Sequence, residues 1–280
     1  MLSRRLRSGG DSTPFVGALW DFANVLDNGT VQSFVPQTAP GRGLAFDLNG
    51  TNVYMRRDSN NLMYRFPLST AWDITTRGTA VAPGVGFNAM PGDAMWWNSS
   101  GTIFYSQDGL NIRTAIPDAP FSASITTSTV HTVAPAVPGT GTRVWATMSA
   151  DGTKLVYAND NNLNIYTLST EWDLSTATLT SSRVGGITTG VSGLVRYDGK
   201  KILVQKQKGL GETFPTFYQY NLTTAWDITT SAADSIKVLT VDTIASDPAG
   251  MALHRGGTDF YWLNPYPSGF NSVVRHSFNT

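Results

Sequence analysis

The chain of 280 residues contains no cysteine, and its 20 acidic residues include only two glutamates, Glu171 and Glu212. The first absence excludes disulfides, thiolate metal sites and cysteine nucleophiles together. The second leaves little for glycoside hydrolysis that relies on a glutamate as general acid. Charge is scarce too, at 14% of residues, and Lys+Arg equal Asp+Glu at 20 each, so the basic footprint of a nucleic-acid binder is missing. No run approaches the roughly 18 consecutive apolar residues of a membrane helix. Residues 1–10, MLSRRLRSGG, lack the apolar stretch that follows the positive charges of a secretion signal. What is plentiful is core and turn material: 41% hydrophobic residues, with 8 Trp, 10 Tyr and 13 Phe against 27 Gly and 14 Pro. Such a composition excludes disorder, collagen and coiled coil and fits a large core cut by many turns.

The organising feature is a repeat. LSTAWDITT at 68–76 returns as LSTEWDLST at 168–176 and LTTAWDITT at 222–230. Trp72 and Trp172 are 100 residues apart, about twice the 54 between Trp172 and Trp226, so a worn copy belongs midway. It stands at 116–123, IPDAPFSA, with Phe121 in the tryptophan position. A turn glycine followed by a polar residue marks the same phase at Gly50, Gly101, Gly152, Gly199 and Gly257. That makes five units. The fifth runs out at the C-terminal HSFNT, where its Trp-Asp is due, while an unmatched Ala18-Leu19-Trp20-Asp21 stands near the N-terminus. Joined head to tail, the two ends complete one repeat.

Each unit reads as four short strands. In the first they fall near 44–48, 53–57, 62–68 and 79–85, with alternating apolar and polar positions separated by Gly, Asn and Asp turns. Four-stranded units with a period of about 50 match propeller blades. The expectation is an all-β, closed five-bladed β-propeller of four-stranded blades, in which 250–253, 259–263 and 272–278 supply three strands of the last blade and the N-terminal strand at 30–35 supplies its outermost one. Residues 1–17 then form an N-terminal arm and 18–280 a single propeller domain.

The repeated Trp-Asp reads as structural, with Trp packed between neighbouring blades and Asp holding backbone N–H groups at a corner. Asp47, Asp151 and Asp198 precede turn glycines and read as turn residues. His131, His254 and His276 lack metal-ligand spacing, and Gly84-Val85-Gly86 lacks the third glycine and following helix of a phosphate cradle. No catalytic residue, metal or cofactor is expected. Departures between units are more informative. The connection between second and third strands lengthens in the fourth unit (205–216) and the fifth (262–270), on one face of adjacent blades. Aromatic and basic residues there, Phe214, Trp262, Tyr266, Phe270, Lys206 and Lys208, suit recognition of a sugar or protein surface. The competing reading tucks Phe214 and Trp262 into the blades. Arg56-Arg57-Asp58 either joins the same face or is simply solvated. In the Gly/Ser-bearing arm, Arg4, Arg5 and Arg7 suit pairing with carboxylates or backbone of a partner.

The phrase Leu68-Ser-Thr-Ala-Trp-Asp-Ile-Thr-Thr76, in units opened by turns such as Asp151-Gly-Thr-Lys-Leu-Val-Tyr157, resembles the repeats of β-propeller proteins of tailed bacteriophages, marine ones especially, and of related bacterial surface proteins. The likeness spans about residues 18–280. It implies a non-enzymatic virion structural protein, tail or tail-fibre associated, whose arm docks on other virion proteins and whose propeller recognises a host-surface glycan or protein. No nucleic-acid partner and no membrane insertion are implied. The motif is specific for the repeat and not for the role. A secreted or cell-surface carbohydrate-binding propeller, a capsid decoration protein and a glycan hydrolase are the alternatives. Phe121 in place of tryptophan departs from the family phrase and weighs against five equivalent binding sites.

Overall fold

The computed structural model describes residues 25–26, 29–34, 41–57, 62–81, 94–108, 111–122, 124–132, 144–159, 162–184, 190–196, 198–206, 213–238, 250–254, 258–265 and 271–278. Strand β1 (Thr30–Ser33) precedes the first blade, which holds β2 (Gly41–Phe46), β3 (Asn52–Arg57) and β4 (Met63–Pro67). The second has β5 (Met95–Trp97), β6 (Phe104–Asp108), β7 (Asn111–Pro117) and β8 (Ile125–Thr132). The third has β9 (Val144–Met148), β10 (Lys154–Asn159), β11 (Asn162–Leu168) and β12 (Ala177–Val184). The fourth has β13 (Gly190–Val195), β14 (Lys201–Lys206), β15 (Thr216–Leu222) and β16 (Ser231–Val238). The fifth is assembled from both ends of the chain, in the order β1, β19 (Asn271–Ser277), β18 (Asp259–Pro265), β17 (Met251–Leu253).

All pairings are antiparallel, and the innermost strands adjoin one another in a circuit, β2 to β5 to β9 to β13 to β17 and back to β2. That circuit makes the molecule a closed five-bladed β-propeller. Because successive strands reverse direction, each turn from first to second strand and each corner from third to fourth lies on one face of the ring. The connections leaving the second strands lie on the other.

Closure by the N-terminal strand follows the expectation. Thr30 pairs Arg275 and Ser33 pairs Ser272, while Val25 bridges Phe278 and Leu26 N donates to the Ser277 carbonyl at 2.9 Å. His276, wholly buried, adds a 3.0 Å bond between Nδ1 and the Leu26 carbonyl. A carbonyl only accepts, so Nδ1 carries the hydrogen. Phe34 then enters the core edge-on to Phe66, 4.9 Å between centroids. In the first blade the expected fourth strand is reduced to two bridges, Leu68 with Arg77 and Arg65 with Val81. Gly78 N donates to the Pro67 carbonyl at 2.7 Å, and Pro67 has no N–H to return a bond. Residues 82–85 of that expectation lie outside the described residues.

The core is distributed between blades. Tyr54 and Met63 meet Met95, Trp97 and Phe104; Tyr105 and Ile112 meet Leu155, Tyr157 and Tyr166. Val156 and Ile165 meet Ile202 and Val204, Leu203 and Phe217 meet Phe260 and Trp262, and Tyr261 and Leu263 meet Val53 and Phe66. A second strand is covered on both faces, so it reads as a continuous apolar run and not as an alternation. Phe260 to Leu263 are all fully buried. The outer strand β12, free on one face, alternates strictly.

Two substitutions separate the closing contacts by burial. Phe34→Ala, from a site with no exposure, is expected to cost about 3–5 kcal/mol. Val31→Ala in the same closing strand, 56% exposed, should stay within about 0.5 kcal/mol. Urea unfolding followed by tryptophan fluorescence checks both.

Candidate functional site

The nine-residue repeat builds a corner, and each of its members has a structural task. Asp73 Oδ1 accepts from Thr75 N at 3.0 Å and from Thr75 Oγ1 at 2.7 Å. Asp173 does the same with Ser175 and Asp227 with Thr229. Each aspartate thereby caps a single 3-10 turn, Ile74–Thr76, Leu174–Thr176 or Ile228–Thr230. Ile74, Leu174 and Ile228 plug the core. The last threonine folds back on the first: Thr70 N donates to Thr76 Oγ1 at 3.0 Å, and Thr170 to Thr176 and Thr224 to Thr230 at 3.2 Å. Hydrogen bonds from Thr75, Ser175 and Thr229, chiefly from their hydroxyls, hold the three carboxyls below the ordinary aspartate range.

The corner aromatic differs from the expectation. Among the described residues, the non-glycine positions with positive φ are Trp72, Phe121, Trp172 and Trp226, at 64°, 56°, 65° and 60°. Left-handed backbone is costly for a bulky residue, yet here it aims the ring over the blade's own hairpin. A Cβ on Gly50, Gly101, Gly152 or Gly199 would fall inside the facing ring. The backbone N–H of the aromatic residue donates to that glycine's carbonyl at 2.8, 2.9, 2.9 and 3.0 Å in turn. The rings therefore lock hairpins within a blade first and meet neighbouring blades second. The second contact runs through a tyrosine of the preceding blade: Tyr261 OH donates to Trp72 O at 2.6 Å, Tyr54 OH to Phe121 O at 2.6 Å and Tyr105 OH to Trp172 O at 2.7 Å. Burial pushes all three hydroxyls above the usual tyrosine value. Trp20 and Asp21, the sequence match for the fifth corner, lie outside the described residues.

The three turn aspartates behave as expected. Asp47 accepts from Thr51 N and Oγ1, both at 2.7 Å, and from Asn52 N and Nδ2 at 3.1 and 2.6 Å. Asp151 takes Ser149 and Thr153. Asp198 pairs Arg196 at 2.6 Å.

The long-loop residues divide. Trp262 is a correction: it is a core residue of β18, which runs on to Pro265, with no exposed surface. Facing Met251 and Val274 across the sheet and Phe217 of the fourth blade, it cannot present its ring to a ligand. Phe214 is half-buried ahead of β15, and Lys206, half-buried, ends β14 opposite Gly190. Tyr266, Phe270 and Lys208, and in the arm Arg4, Arg5 and Arg7, lie outside the described residues. Glu171 is exposed in a corner.

What sequence reasoning missed lies on the opposite face. There the ends of all five innermost strands enclose a cavity of about 380 Å³ at the channel mouth, within the size range of ligand pockets. Trp96, Phe46 and three corner rings, Trp72, Phe121 and Trp172, stand on one side; Leu194, Val195, Ala252 and Leu253 stand on the other. Trp96 stacks on Tyr105 at 5.3 Å and 2°, and Trp72 on Phe46 at 5.0 Å and 25°. His254 meets Trp72 edge-on at 4.7 Å. Burial lowers its pKa from the ordinary 6.5, which keeps it neutral near pH 7. The signal available beforehand was Trp96-Trp97, an aromatic pair in an innermost strand where the other units hold smaller residues.

No family model and no curated protein sequence matches the chain. Among solved structures it is similar to a luciferin-regenerating enzyme at 10% identity and a TM-score of 0.52, over 89% of this chain and 95% of that one. It is also similar to Kuenenia stuttgartiensis hydrazine synthase, at 10% identity and TM-score 0.43, over 82% of this chain and 56% of that one. A functionally unknown protein from Desulfotomaculum acetoxidans matches at 15% identity and TM-score 0.43, over 79% and 64%. The chain thus spans little more than half of the hydrazine synthase chain. At these identities the likeness shows the fold alone.

Two outcomes are expected. Gly152→Ala should cost more than about 2 kcal/mol, and combining it with Trp172→Ala should cost less than the two singles together, with a coupling of about 1–3 kcal/mol. Stability should also fall on acidification. Below pH 6.5 the unfolded chain protonates at His254 before the folded one does. Below about 3.8 the corner aspartates and Asp259 add to the fall. Asp259 is held low against its burial by hydrogen bonds from Arg275, Ser277 and Thr258. Melting temperatures of the parent and of His254→Gln between pH 7 and 5 check this, the variant losing the upper part of the decline.

Proposed function

We propose that the chain is a non-enzymatic recognition module, a bacteriophage virion protein associated with the tail or tail fibre, whose propeller engages the host surface and whose arm docks on other virion proteins. One observation carries the recognition reading. The polar residues that repeat from blade to blade are consumed by the fold, while Trp96, Thr147, Leu194 and Ala252, which occupy one position and differ between blades, meet the corner rings Trp72, Phe121 and Trp172 at the channel mouth. The corner and turn aspartates, the side chains most suited to acid–base work, are engaged in caps and hairpins. The mouth instead carries rings beside hydrogen-bonded polar groups on a rigid frame, which suits binding with little entropy to lose.

The virion assignment is supported by the likeness of the LSTAWDITT repeat to phage propellers and by the arginines at 4, 5 and 7. A cell-surface carbohydrate-binding propeller is the second reading, favoured by the same mouth, and particle association separates the two. Deleting residues 1–17 is expected to leave the melting transition in place and to abolish incorporation into particles of the phage that encodes the chain, read by mass spectrometry of purified particles. Absence of the full-length chain from those particles overturns the virion reading.

A further inference from the structure

The five residues three positions before the turn glycines are Asp47, Asn98, Ser149, Arg196 and His254, and four of them line the mouth. Of these four, Asp47 alone is charged at neutral pH, and its hydrogen-bonding capacity is filled. All the lone-pair positions of the Asp47 carboxylate are taken by Thr51 and Asn52, and His254 is held neutral by burial. Ser149 donates to Asp151 and accepts from Lys154 N. Asn98, 6% exposed, uses its carbonyl on Thr102 N and Ile103 N and one amide hydrogen on Thr102 Oγ1. Its second amide hydrogen is left for another acceptor. Thr147 brings a half-buried hydroxyl to the same side.

The apolar lining is equally uneven. At the position two residues earlier in each strand stand Ala45, Trp96, Thr147, Leu194 and Ala252, so at this position the second blade alone adds a large ring to Phe46 and the corner rings Trp72, Phe121 and Trp172. Aromatic faces therefore bound the cavity on the side of the first three blades, and short aliphatic side chains bound it on the side of the fourth and fifth. A cavity with aromatic rings from three blades along one side, hydrogen-bonded polar groups beside them and about 380 Å³ of space matches a small ring that is apolar on its face and hydroxylated around its edge. Among the described lining residues an anionic ligand would find no countercharge, and a wholly apolar one would cover Asn98 and Thr147 without replacing their hydrogen bonds with water.

We infer that the channel mouth is a binding site for a neutral pyranose, its C–H face against the wall that includes Trp96 and Trp172 and its hydroxyls toward Asn98 and Thr147. This deepens the recognition reading and rests on it. It assigns the contact to the face opposite the long loops.

Saturation-transfer NMR of the full chain with the methyl glycosides of glucose, galactose, mannose and N-acetylglucosamine, beside glucuronate and N-acetyltryptophanamide, tests it. At least one neutral glycoside should receive saturation and glucuronate none. Trp96→Ala should weaken binding at least tenfold. Ala150→Trp, placed at an exposed position of the rim, should abolish it without touching the core. Val184→Ser, on the far outer edge, should change nothing. No saturation of any neutral glycoside, or binding that survives Ala150→Trp, overturns the site. Saturation of the amide alone would overturn it as well and assign the mouth to a protein side chain. Adherence of the labelled chain to host cells is read separately: adherence without glycoside binding sinks the sugar site and spares recognition, whereas loss of both sinks both.

Discussion

The structure depends on an aromatic ring laid over a glycine. A bulky residue in left-handed backbone is unfavourable by roughly 1–3 kcal/mol, and the fold uses it in four corners. It is tolerated because so much converges on it: the N–H bond to the glycine carbonyl, the ring on the bare hairpin, the capped turn behind it, and in three junctions a tyrosine hydroxyl from the preceding blade. The glycine is required twice over. Its φ lies near +70° in all four hairpins, and its missing side chain is where the ring sits.

This contact also sets how blades are joined. The tyrosines at 54, 105 and 261 belong to second strands, the most buried of each blade, and reach the carbonyl of the left-handed residue next door. In the third and fourth blades the equivalent positions hold Val156 and Leu203, which pack without bonding. At the junction of the third and fourth blades another device appears. Ser181 Oγ donates to Asp227 Oδ1 at 3.0 Å and accepts from Ile228 N at 2.9 Å, while Arg183 reaches the Ser231 carbonyl at 2.6 Å. Of the four seams whose corners are described, three are thus held by a tyrosine hydroxyl and the other by Ser181 and Arg183.

Much of this was open to a reader of the sequence, because near-identical nine-residue copies betray a repeated corner and turn glycines give its phase. Blade number, the worn copy at Phe121 and closure by the N-terminal strand all follow from spacing. The left-handed tryptophan does not, since positive φ is ordinarily read from glycine or asparagine and a Trp-Asp pair suggests burial between layers. Trp262 misled for a related reason. It stands just ahead of a Pro- and Gly-containing stretch, and only the ladder with Met251 and Val274 reveals that the strand continues through it. The channel mouth was hidden because its lining comes from positions 44–48, 95–99, 147–150, 194–195 and 251–254 with the corner rings at 72, 121 and 172, which apart from the Trp96-Trp97 pair carry no local mark of a site and are brought together only by ring closure.

Closing the ring with the first strand has a consequence for the order in which the molecule is made. β1 pairs β19, Ser33 with Ser272, so a strand made before the first blade waits for one made after the fourth, roughly 10–50 s at ordinary rates of synthesis. Four blades are complete in sequence before the fifth has a partner for its outer edge. Until then the nascent chain is an open arc with unpaired backbone at both ends, the condition under which strands recruit the wrong neighbours. The wholly buried His276 and Phe34, on either side of that final seam, become native only once the strands of the fifth blade have been made, so the propeller closes on a contact that no partial ring can rehearse.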